Sequence, residues 1–403
     1  MAKWFARLMG RLEGKALTEL PAFLSWPEAK AGARVSVETS LQVATVLACA
    51  RAIAEGCAQV PVRFYAGDGA GRRVPQRSHP LEDVLGYRPN PWQTSFEFRE
   101  TMLLHAVLCG NAFVYINRVG GRVAELIPIE PGRVWVERQR DMSLTYRLTF
   151  ESGETAVLTS RDVWHLRGPS WNSWMGLEAI KYAREAIGLA IVTEEAHARL
   201  HANGVRPTGA YTVEGTLAPD QYKSLAAWIA QHHAGAENGG KPLILDRGAK
   251  WTSLAMNGVD AQHLETRKHQ VEEICRAMRV IPLMVGYSDK TATYASAEQM
   301  FISHVVHTIT PWATRFEQSA EAALLRPGED VDIRLDLKGL MRGAAKDRAE
   351  YFAKALGSGG APAWMTQNEV RAEDGLDWLE GADRLPQPTN VGGTVTEGSN
   401  AAA

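Results

Sequence analysis

The sequence has few cysteines and no long apolar run. Cys49, Cys57, Cys109 and Cys275 are the four cysteines of its 403 residues, and no two of them form the CxxC spacing of zinc and redox sites. Each lies in an apolar stretch, so we predict buried free thiols in a protein of a reducing compartment. The longest apolar stretches, such as Val43 to Ala50, are far shorter than the ~20 residues that cross a bilayer. We therefore expect no membrane span.

An excess of basic residues is also missing. The chain has 44 Lys and Arg against 46 Asp and Glu, a formal net charge of -2. Tight nucleic-acid binders carry clustered positive charge, so we expect any DNA contact to be loose or local. A sequence-specific DNA-binding regulator would need a basic recognition helix, and none is found. With 45% apolar and 22% charged residues, the chain can instead bury a large core.

The motifs of common enzymes are absent. GxxxxGK[ST], GxGxxG, HExxH and GxSxG do not occur, and the Gly-Lys-Pro stretch at 240–242 cannot replace the ATPase phosphate loop because proline removes an amide donor. Asp162 and His165 flank Trp164 in a strand pattern, where successive side chains alternate between faces. We predict that the chain is not an enzyme and needs no cofactor.

Histidine spacing offers one alternative, a metal-dependent enzyme. His197 and His201 are four residues apart on a predicted helix and could present two imidazoles on one face. A clear third ligand is lacking, and solvated or interfacial histidines are the competing interpretation. His232 and His233 end another predicted helix, where positive charge is favoured.

The first part of the chain alternates helical and strand patterns. A capped helix is predicted from Ser36, followed by the strand PVRFYAG. A loop rich in proline then precedes a helix that starts at Ser95 and gives way to a strand at Ala112. The short alternating runs VAELIPIEP, RVWVERQ, LTYRLTF and DVWHLRG predict an antiparallel sheet.

The second part is mainly helical. A long helix is predicted from Leu177 to Ala202, with a compact α/β insert after it and a second helix over Ala261–Arg279. Small, polar and glycine residues from Gly286 to Ser296 predict an exposed loop. The next helix, which begins at Ser296, is expected to be broken by Pro311.

Seven segments, in this order, resemble the portal proteins of long-tailed double-stranded-DNA phages and gene transfer agents. They are SLQVATVLACARAIAEGCAQVPVRFY, HPLEDVLGYRPNPWQTSFEF, LCGNAFVYINR with LIPIEP, RLHANGVRPTGAY, MRVIPLMVGYSDKTATYASAEQMF, TITPWATRFEQ and TQNEVRAEDGL. Each alone is ordinary capping, turn or core sequence, and the resemblance lies in the ordered combination from about Ser36 to Asp383. It implies a mixed α+β portal fold with a wing, a two-helix stem, a small α/β clip and a short helical crown.

The resemblance also implies a division of the chain. The regions are an N-terminal arm (1–35), the first part of the wing (36–176), stem helix 1 (177–204), the clip (205–258), stem helix 2 (259–280), the second part of the wing (281–340) with a tunnel loop (286–296), a short crown (341–383) and a disordered tail (384–403). The arm begins with a basic amphipathic stretch, for which we predict a short docking helix or flexible arm; a transit peptide or surface anchor is the alternative. The tail has almost no large apolar groups.

Three groups of side chains gain roles from the resemblance. The first group lies in the tunnel loop and consists of Lys290, Thr291, Thr293 and Tyr294. The loop would project into a DNA channel; the alternative is an exposed turn that binds nothing. The second group forms the apolar stripes of the stem helices: Ile180, Ile187, Ile191, Leu264, Val271 and Ile274. These stripes are either interfaces between subunits or part of the core within one chain. The third group lies on the partner surface of the clip and consists of Tyr222, Trp228 and His232.

The implied channel is electrically mixed. Over residues 261–300 five cations, Arg267, Lys268, Arg276, Arg279 and Lys290, face five acids, Glu265, Glu272, Glu273, Asp289 and Glu298. Each neutralised phosphate strengthens DNA binding through counterion release. A wall without a basic stripe therefore suits DNA that must slide.

The resemblance implies an assembly and its partners. The chain would form a dodecameric homo-oligomeric ring at one capsid vertex of a virion or phage-like particle, assembled in the host cytoplasm. The ring would contact the major capsid protein and surround double-stranded DNA. It would dock the terminase large subunit during packaging and the head-tail adaptor afterwards, with no membrane involved.

Overall fold

The structure is a computed structural model. It describes residues 28–67, 73–76, 78–202, 209–212, 218–224, 227, 250–253, 259–287, 294–341, 345–358, 361–374, 376 and 378–386. Most of the predicted arm and tail lie outside the described residues. The chain divides into two compact units, Met1–Asp336 and Leu337–Ala403.

The first unit mixes helices and strands. Among the described residues its helices are α1 (Val37–Leu41), α2 (Ala44–Ala58), α3 (Pro80–Glu82), α4 (Ser95–Cys109), α5 (Ala179–Tyr182), α6 (Arg184–Ala202), α7 (Val259–Met278), α8 (Tyr294–His304) and α9 (Thr310–Leu324). Its strands are β1 (Val62–Gly67), β2 (Arg73–Pro75), β3 (Asn111–Val119), β4 (Arg122–Ile129), β5 (Val134–Arg138), β6 (Leu144–Thr149), β7 (Thr155–Thr159), β8 (Val163–Arg167), β9 (Gly209–Thr212), β10 (Lys250–Ser253) and β11 (Val331–Leu335). The predicted mixed α+β class is confirmed.

The opening helix is divided into α1 and α2. Ser36 caps α1 because its Oγ accepts from the amide of Thr39 at 3.1 Å, while the Thr39 hydroxyl accepts from the Ser36 amide at 2.8 Å. Val43 then adopts an extended conformation before α2 begins. The buried residues of α2 recur at helical spacing: Val46, Cys49, Ala50, Ile53, Ala54, Cys57 and Ala58.

Helix α4 ends at a close backbone contact with the segment before α5, and a glycine lies on each side of this contact. Thr94, one residue before the predicted start at Ser95, caps α4 through a reciprocal bond with Glu97. Gly110 ends the helix with a φ of 72°. A Cβ on Gly176 would lie 1.9 Å from the Gly110 carbonyl oxygen, so the two backbones touch where no side chain fits.

Helices α2, α4, α5, α6 and α7 bury one common core. Ile53 of α2, Val107 of α4, Ile187 of α6 and Ile274 of α7 all belong to it. Each fully buried aliphatic side chain of this size stabilises the fold by about 1.5–3 kcal/mol. This core holds together parts of the chain that lie more than two hundred residues apart.

Three small antiparallel sheets complete the first unit beside the β9–β10 pair. Their strand orders are β4-β3-β8, β5-β6-β7 and β11-β1-β2. The antiparallel sheet predicted from the short alternating runs is confirmed, and in the third sheet β1 pairs with the distant strand β11. The sheets are short because turns close most of the hairpins after a few residues.

Strand β8 joins a sheet to α9 through alternating side chains. Trp164 is fully buried, and its Nε1 donates to Ser319 Oγ in α9 at 2.9 Å. His165 points to the other face, where its Nε2 lies 3.0 Å from Asn111 Oδ1. Asp162 instead accepts from the amide and the hydroxyl of Thr159, at 3.2 and 2.7 Å, so the prediction that Asp162 and His165 need not converge is confirmed.

The long helix predicted over Leu177 to Ala202 is interrupted. Residues 177 and 178 precede the first helical residue, and Ala183 has φ -90° and ψ 6°, outside the helical region, so that α5 and α6 are separate. Ile180 and Ile187 on either side of the break are both buried. The periodicity that predicted one helix persists across the break because both pieces pack against the same core.

Pro311 does not break its helix, which corrects the prediction. A π-helical turn, Val305–Ile309, precedes α9, and the Thr310 amide bonds to the Val305 carbonyl five residues back. The Thr310 hydroxyl donates to the same carbonyl at 2.9 Å. Proline needs no amide partner and clashes with the carbonyl four residues before it, so a widened turn accommodates the ring.

The second unit is a small helical region. Its helices among the described residues are α10 (Ala345–Ala355) and α11 (Gln367–Asp374). Arg348 pairs with Asp374, and the Asn368 amide donates to the Leu379 carbonyl and to Asp383 Oδ1, each at 2.8 Å. These two helices lie where the sequence predicts the short crown.

Candidate functional site

The helices predicted as the stem, α6 and α7, contact each other directly. Gln270 of α7 is buried, and its amide donates to the Thr193 hydroxyl of α6 at 3.2 Å. Within about two turns of this bond along each helix, Ile187 of α6 and Ile274 of α7 belong to the common core. The pair is therefore joined to the rest of the first unit at its core end.

The predicted stripe residues face inward within the chain. Ile180, Ile187 and Ile274 are no more than 2% exposed, and Ile191 and Val271 pack against the same core. Leu264 lies in α7, and its side chain is outside the described residues. These positions agree with the interpretation of the stripes as core within one chain. A contact with a neighbouring subunit would therefore involve other faces of the two helices.

A small two-stranded element lies between α6 and α7 in the chain. Strands β9 and β10 are antiparallel, with Tyr211 opposite Trp251. Residues 219–224 are helical, and Tyr222 there is 65% exposed. Trp228 and His232, the other residues predicted on the partner surface of the clip, lie outside the described residues.

The segment after α7 leads to the predicted tunnel loop. Arg279 has a φ of 57°, a short 3-10 turn covers Pro282–Val285, and Gly286 has a φ of 78°. Lys290, Thr291 and Thr293 lie outside the described residues. Tyr294 is the first residue of α8, so the helix begins two residues before the predicted end of the loop.

The charges on α7 are mixed. Over residues 265–278 the acids Glu265, Glu272 and Glu273 are matched by the cations Arg267, Lys268 and Arg276. Glu273 pairs with Arg276 on the next turn. The described part of this helix therefore presents no continuous basic stripe.

A cleft with unneutralised arginines lies beside the core end of α7. Arg279 and Arg315 both line it, and burial, together with the positive charge of Arg279, lowers the pKa of Arg315. The sequence analysis missed this cleft because its two arginines are far apart in the chain. The strained backbone of Arg279 is visible only in the structure.

The four cysteines agree with the prediction of free thiols. Cys49, Cys57 and Cys275 are buried and Cys109 is partly buried, all without disulfides. The Cys49 and Cys275 sulfurs are 3.7 Å apart. Their hydrogen bond, together with burial, raises the pKa of the Cys49 thiol well above its ordinary value.

His165, one of the two acid and base candidates of the sequence, is a buried structural residue. Burial, with a smaller effect of Arg167, lowers the pKa of His165 to about 3, so the ring is neutral in the fold. Its Nδ1 lies 3.4 Å from the Tyr146 hydroxyl. Among the described residues no three His, Cys, Asp or Glu side chains cluster as a metal site would require, and the His201 side chain is not among them.

No helix within the described residues has the length and apolar character that a membrane span requires.

Comparison with known proteins identifies the family. The family model for the phage portal protein matches residues 44–375. The portal protein of Enterobacteria phage HK97 is 29% identical over 391 residues, covering 94% of this chain and 91% of that protein. A chain from the virion of a native gene transfer agent particle has 23% identity and a TM-score of 0.62, over 85% of this chain and 94% of that one. A chain from the neck of a native gene transfer agent particle, computed with C12 symmetry, has 22% identity and a TM-score of 0.60, over 94% and 100%. The match spans the sheets, both long helices and the segment after them, and the chain belongs to the phage portal protein family.

Proposed function

We propose that the chain is a portal subunit that assembles into a ring-shaped DNA channel at one capsid vertex. The observation that carries this proposal is the family match over residues 44–375, which covers α6, α7 and the insert between them. We propose a structural rather than an enzymatic role, because the matched family is that of portal proteins. The protein is proposed to function within the virion or a phage-like particle.

Twelve copies are the proposed ring size. The neck structure computed with C12 symmetry supports this number for a similar chain. A ring of identical subunits needs a head-to-tail contact, in which one surface of a copy meets a different surface of the next.

The mixed charge of α7 supports passage of DNA through the ring. Duplex DNA binds more tightly for each phosphate that a protein neutralises, and a basic stripe would hold it. The matched acids and cations of residues 265–278 would leave the duplex free to slide. Lys290, Thr291, Thr293 and Tyr294 are proposed to reach the duplex from the tunnel loop.

The insert is proposed to be the clip, which docks the terminase large subunit during packaging and the head-tail adaptor afterwards. Tyr222 is an exposed aromatic group there, and aromatic side chains are enriched at protein interfaces. Trp228 and His232 are proposed to share this surface. The wing would contact the major capsid protein, and the crown would face the capsid interior.

The first test is the mass and symmetry of the purified protein. Native mass spectrometry and negative-stain class averages should show a closed ring of about a dozen copies with a central hole. A stable monomer or small dimer under several salt conditions would contradict the proposal. No observation favours the metal-dependent enzyme, and a stoichiometric metal in the purified ring would be needed to revive it.

A further inference from the structure

The arginine cleft, defined by Arg279, Arg315 and the residues around them, is a built cavity. Its volume is about 470 Å³, and it lies between α4, the start of α5, the end of α7 and α9. The apolar part of its wall includes Val107, Met278 and Trp312. This volume accommodates one or two large side chains, and the apolar wall would favour aromatic or aliphatic ones.

The cleft lacks negative charge. Among the described residues that line it there is no Asp or Glu, whereas Arg276, Arg279, His307 and Arg315 are present. Arg276 already has Glu273 as a partner. The Arg315 guanidinium donates to the Pro311 carbonyl at 3.2 Å and lies 5.4 Å from the centre of the Trp312 ring. Arg279 and Arg315 thus both line the cleft, and within the described structure neither forms an ion pair with a carboxylate.

A surface of the opposite character lies at the other end of α4. The aromatic loop, defined here as residues 87–96, runs from the end of the π-helical turn Asp83–Tyr87 to the first two residues of α4. It carries three aromatic side chains at its surface: Tyr87 is 70% exposed, Trp92 53% and Phe96 39%. In the sequence, Glu82, Asp83, Glu97 and Glu100 lie within five residues of it, against the exposed Arg88 and the buried Arg99. Exposed aromatic groups with carboxylates nearby in the sequence would fit a cleft whose wall combines apolar side chains with arginines.

The aromatic loop is held rigid by hydrogen bonds. Asn90 is buried, its Oδ1 accepts from the amides of Trp92 and Gln93 at 3.3 and 2.9 Å, and its Nδ2 donates to the Leu126 carbonyl at 3.0 Å. The Leu126 amide donates in turn to the Pro89 carbonyl at 2.8 Å. Trp92 is therefore presented outward in a fixed geometry, which lowers the entropy lost when it binds.

The two surfaces cannot meet within one copy. Phe96 and Val107 are on the same helix, and eleven residues at a rise of about 1.5 Å each separate them by about 16 Å. Since α4 is rigid, the aromatic loop and the arginine cleft of one chain stay apart. Two complementary surfaces kept at a fixed distance on one molecule are what a head-to-tail contact requires.

We propose that the aromatic loop of one copy docks in the arginine cleft of the next copy in the ring. Trp92 or Phe96 enters the apolar part of the cleft, and the acidic groups beside them neutralise Arg279 and Arg315. The inference rests on the proposed ring and adds the residues that join its subunits. Aromatic and arginine side chains are the residues that most often dominate the binding energy of an interface.

The test uses two variants of the full chain and matched controls. The cleft variant carries Arg279→Glu and Arg315→Glu, and the loop variant carries Trp92→Ala and Phe96→Ala. The first control carries Arg122→Glu and Arg161→Glu, two exposed arginines that have no carboxylate partner among the described residues. The second control, Trp135→Ala, removes an exposed tryptophan from β5. Circular dichroism first checks that each variant is folded.

Native mass spectrometry then measures the fraction of protein in rings. We expect the cleft and loop variants each to lose rings by about tenfold or more, and the controls to keep them. Mixing the two defective variants gives the sharpest result, because only one intact contact can form per pair. The mixture should yield 1:1 heterodimers that do not grow.

Three outcomes would count against the proposal in distinguishable ways. If the wild-type protein forms no ring, the proposed function fails before the contact is tested. If the wild type forms rings and both variants do so equally well, the ring stands and this contact is wrong. A photo-crosslinker at position 92 supplies an independent measurement: it should join peptides containing Arg279 or Arg315 of another, isotope-labelled copy, and crosslinks confined to other surfaces would overturn the contact.

Discussion

The sulfur atoms of Cys49 in α2 and Cys275 in α7 lie 3.7 Å apart, although 226 residues separate the two cysteines in the sequence. Both side chains are essentially inaccessible to solvent. Their contact is one of the points at which α7 is attached to the opening helix. The attachment of the predicted stem to the wing can therefore be probed by small changes at these two positions.

Removing either thiol should weaken this attachment. Cys49→Ala and Cys275→Ala are each expected to lower the free energy of unfolding by about 1–2 kcal/mol, because each leaves a small cavity. The double variant should lose less than the sum, since both changes enlarge one shared cavity. Urea unfolding measures all three values, and strict additivity would show that the thiols do not interact.

Substitution of Gly176 should be severe. The Cβ of Gly176→Ala would lie 1.9 Å from the Gly110 carbonyl oxygen, a backbone atom that cannot rotate away. We expect a loss of about 3 kcal/mol or more, since strain must move one of the two segments. Gly86→Ala is the matched control because its Cβ would have ordinary space, 3.8 Å from the nearest atom. Equal melting temperatures for the two variants would contradict the close contact.

The neutral His165 should make stability depend on pH. Its pKa is about 3 in the folded chain against 6.5 for the free side chain, so below pH 6.5 the unfolded chain takes up a proton that the folded chain does not. The contribution to stability is therefore fully present above pH 6.5 and falls by about 1.4 kcal/mol per unit as the pH decreases toward 3.

The measurement compares urea midpoints at pH 7 and pH 5 in the wild type and in His165→Gln. The glutamine amide can still donate to Asn111 but does not titrate, so the difference between the two midpoints should shrink. His269→Gln, at an exposed position of α7, is the control. His105, for which burial lowers the pKa to about 4, should account for part of the dependence that remains. An unchanged difference in His165→Gln would exclude His165 as a source.

The cap of α4 should contribute separately to stability. Thr94→Ala removes the oxygen that accepts from the Glu97 amide at 3.3 Å, and such a loss usually costs about 1 kcal/mol. Thr314→Ala is the control, because that hydroxyl only donates back to the Thr310 carbonyl within α9. Chemical denaturation should show a clear loss for the first variant and almost none for the second.

The exposed aromatic group of the insert should affect partners without affecting the ring. Tyr222→Ala removes a side chain that is 65% exposed, so the fold and the ring should persist. Binding of the ring to purified terminase large subunit or adaptor should weaken by about tenfold if this surface is the docking site. Unchanged affinity for both proteins would remove Tyr222 from the proposed clip surface.

Local patterns in the sequence predicted most elements, and tertiary contacts account for the rest. The alternation around Trp164 and the periodicity of α2 depend on neighbours in the chain, so both are visible in the sequence. Pro311 was misjudged because the widened turn before it depends on how α9 packs. The start of α4 at Ser95 was predicted correctly, because the capping residues Thr94 and Glu97 lie within one turn of it in the sequence.

The candidate site was less predictable for the same reason. Arg279 and Arg315 line one cleft only because α7 ends and α9 begins beside the same core, and nothing within a few residues of either signals the other. Cys49 and Cys275 illustrate the point over a larger separation. The positive φ of Arg279 likewise has no sequence signal, because glycine usually occupies that conformation.

The π-helical turn Val305–Ile309 has a consequence for the segment in front of it. A π turn contains about one residue more than an α turn, and one residue corresponds to a rotation of about 100° in an α-helix. Deleting a single residue from this turn would restore ordinary bonding and would swing the start of α8 about its own axis. The π turn therefore sets the rotation of α8 relative to α9, and with it the direction from which the predicted tunnel loop joins the start of α8.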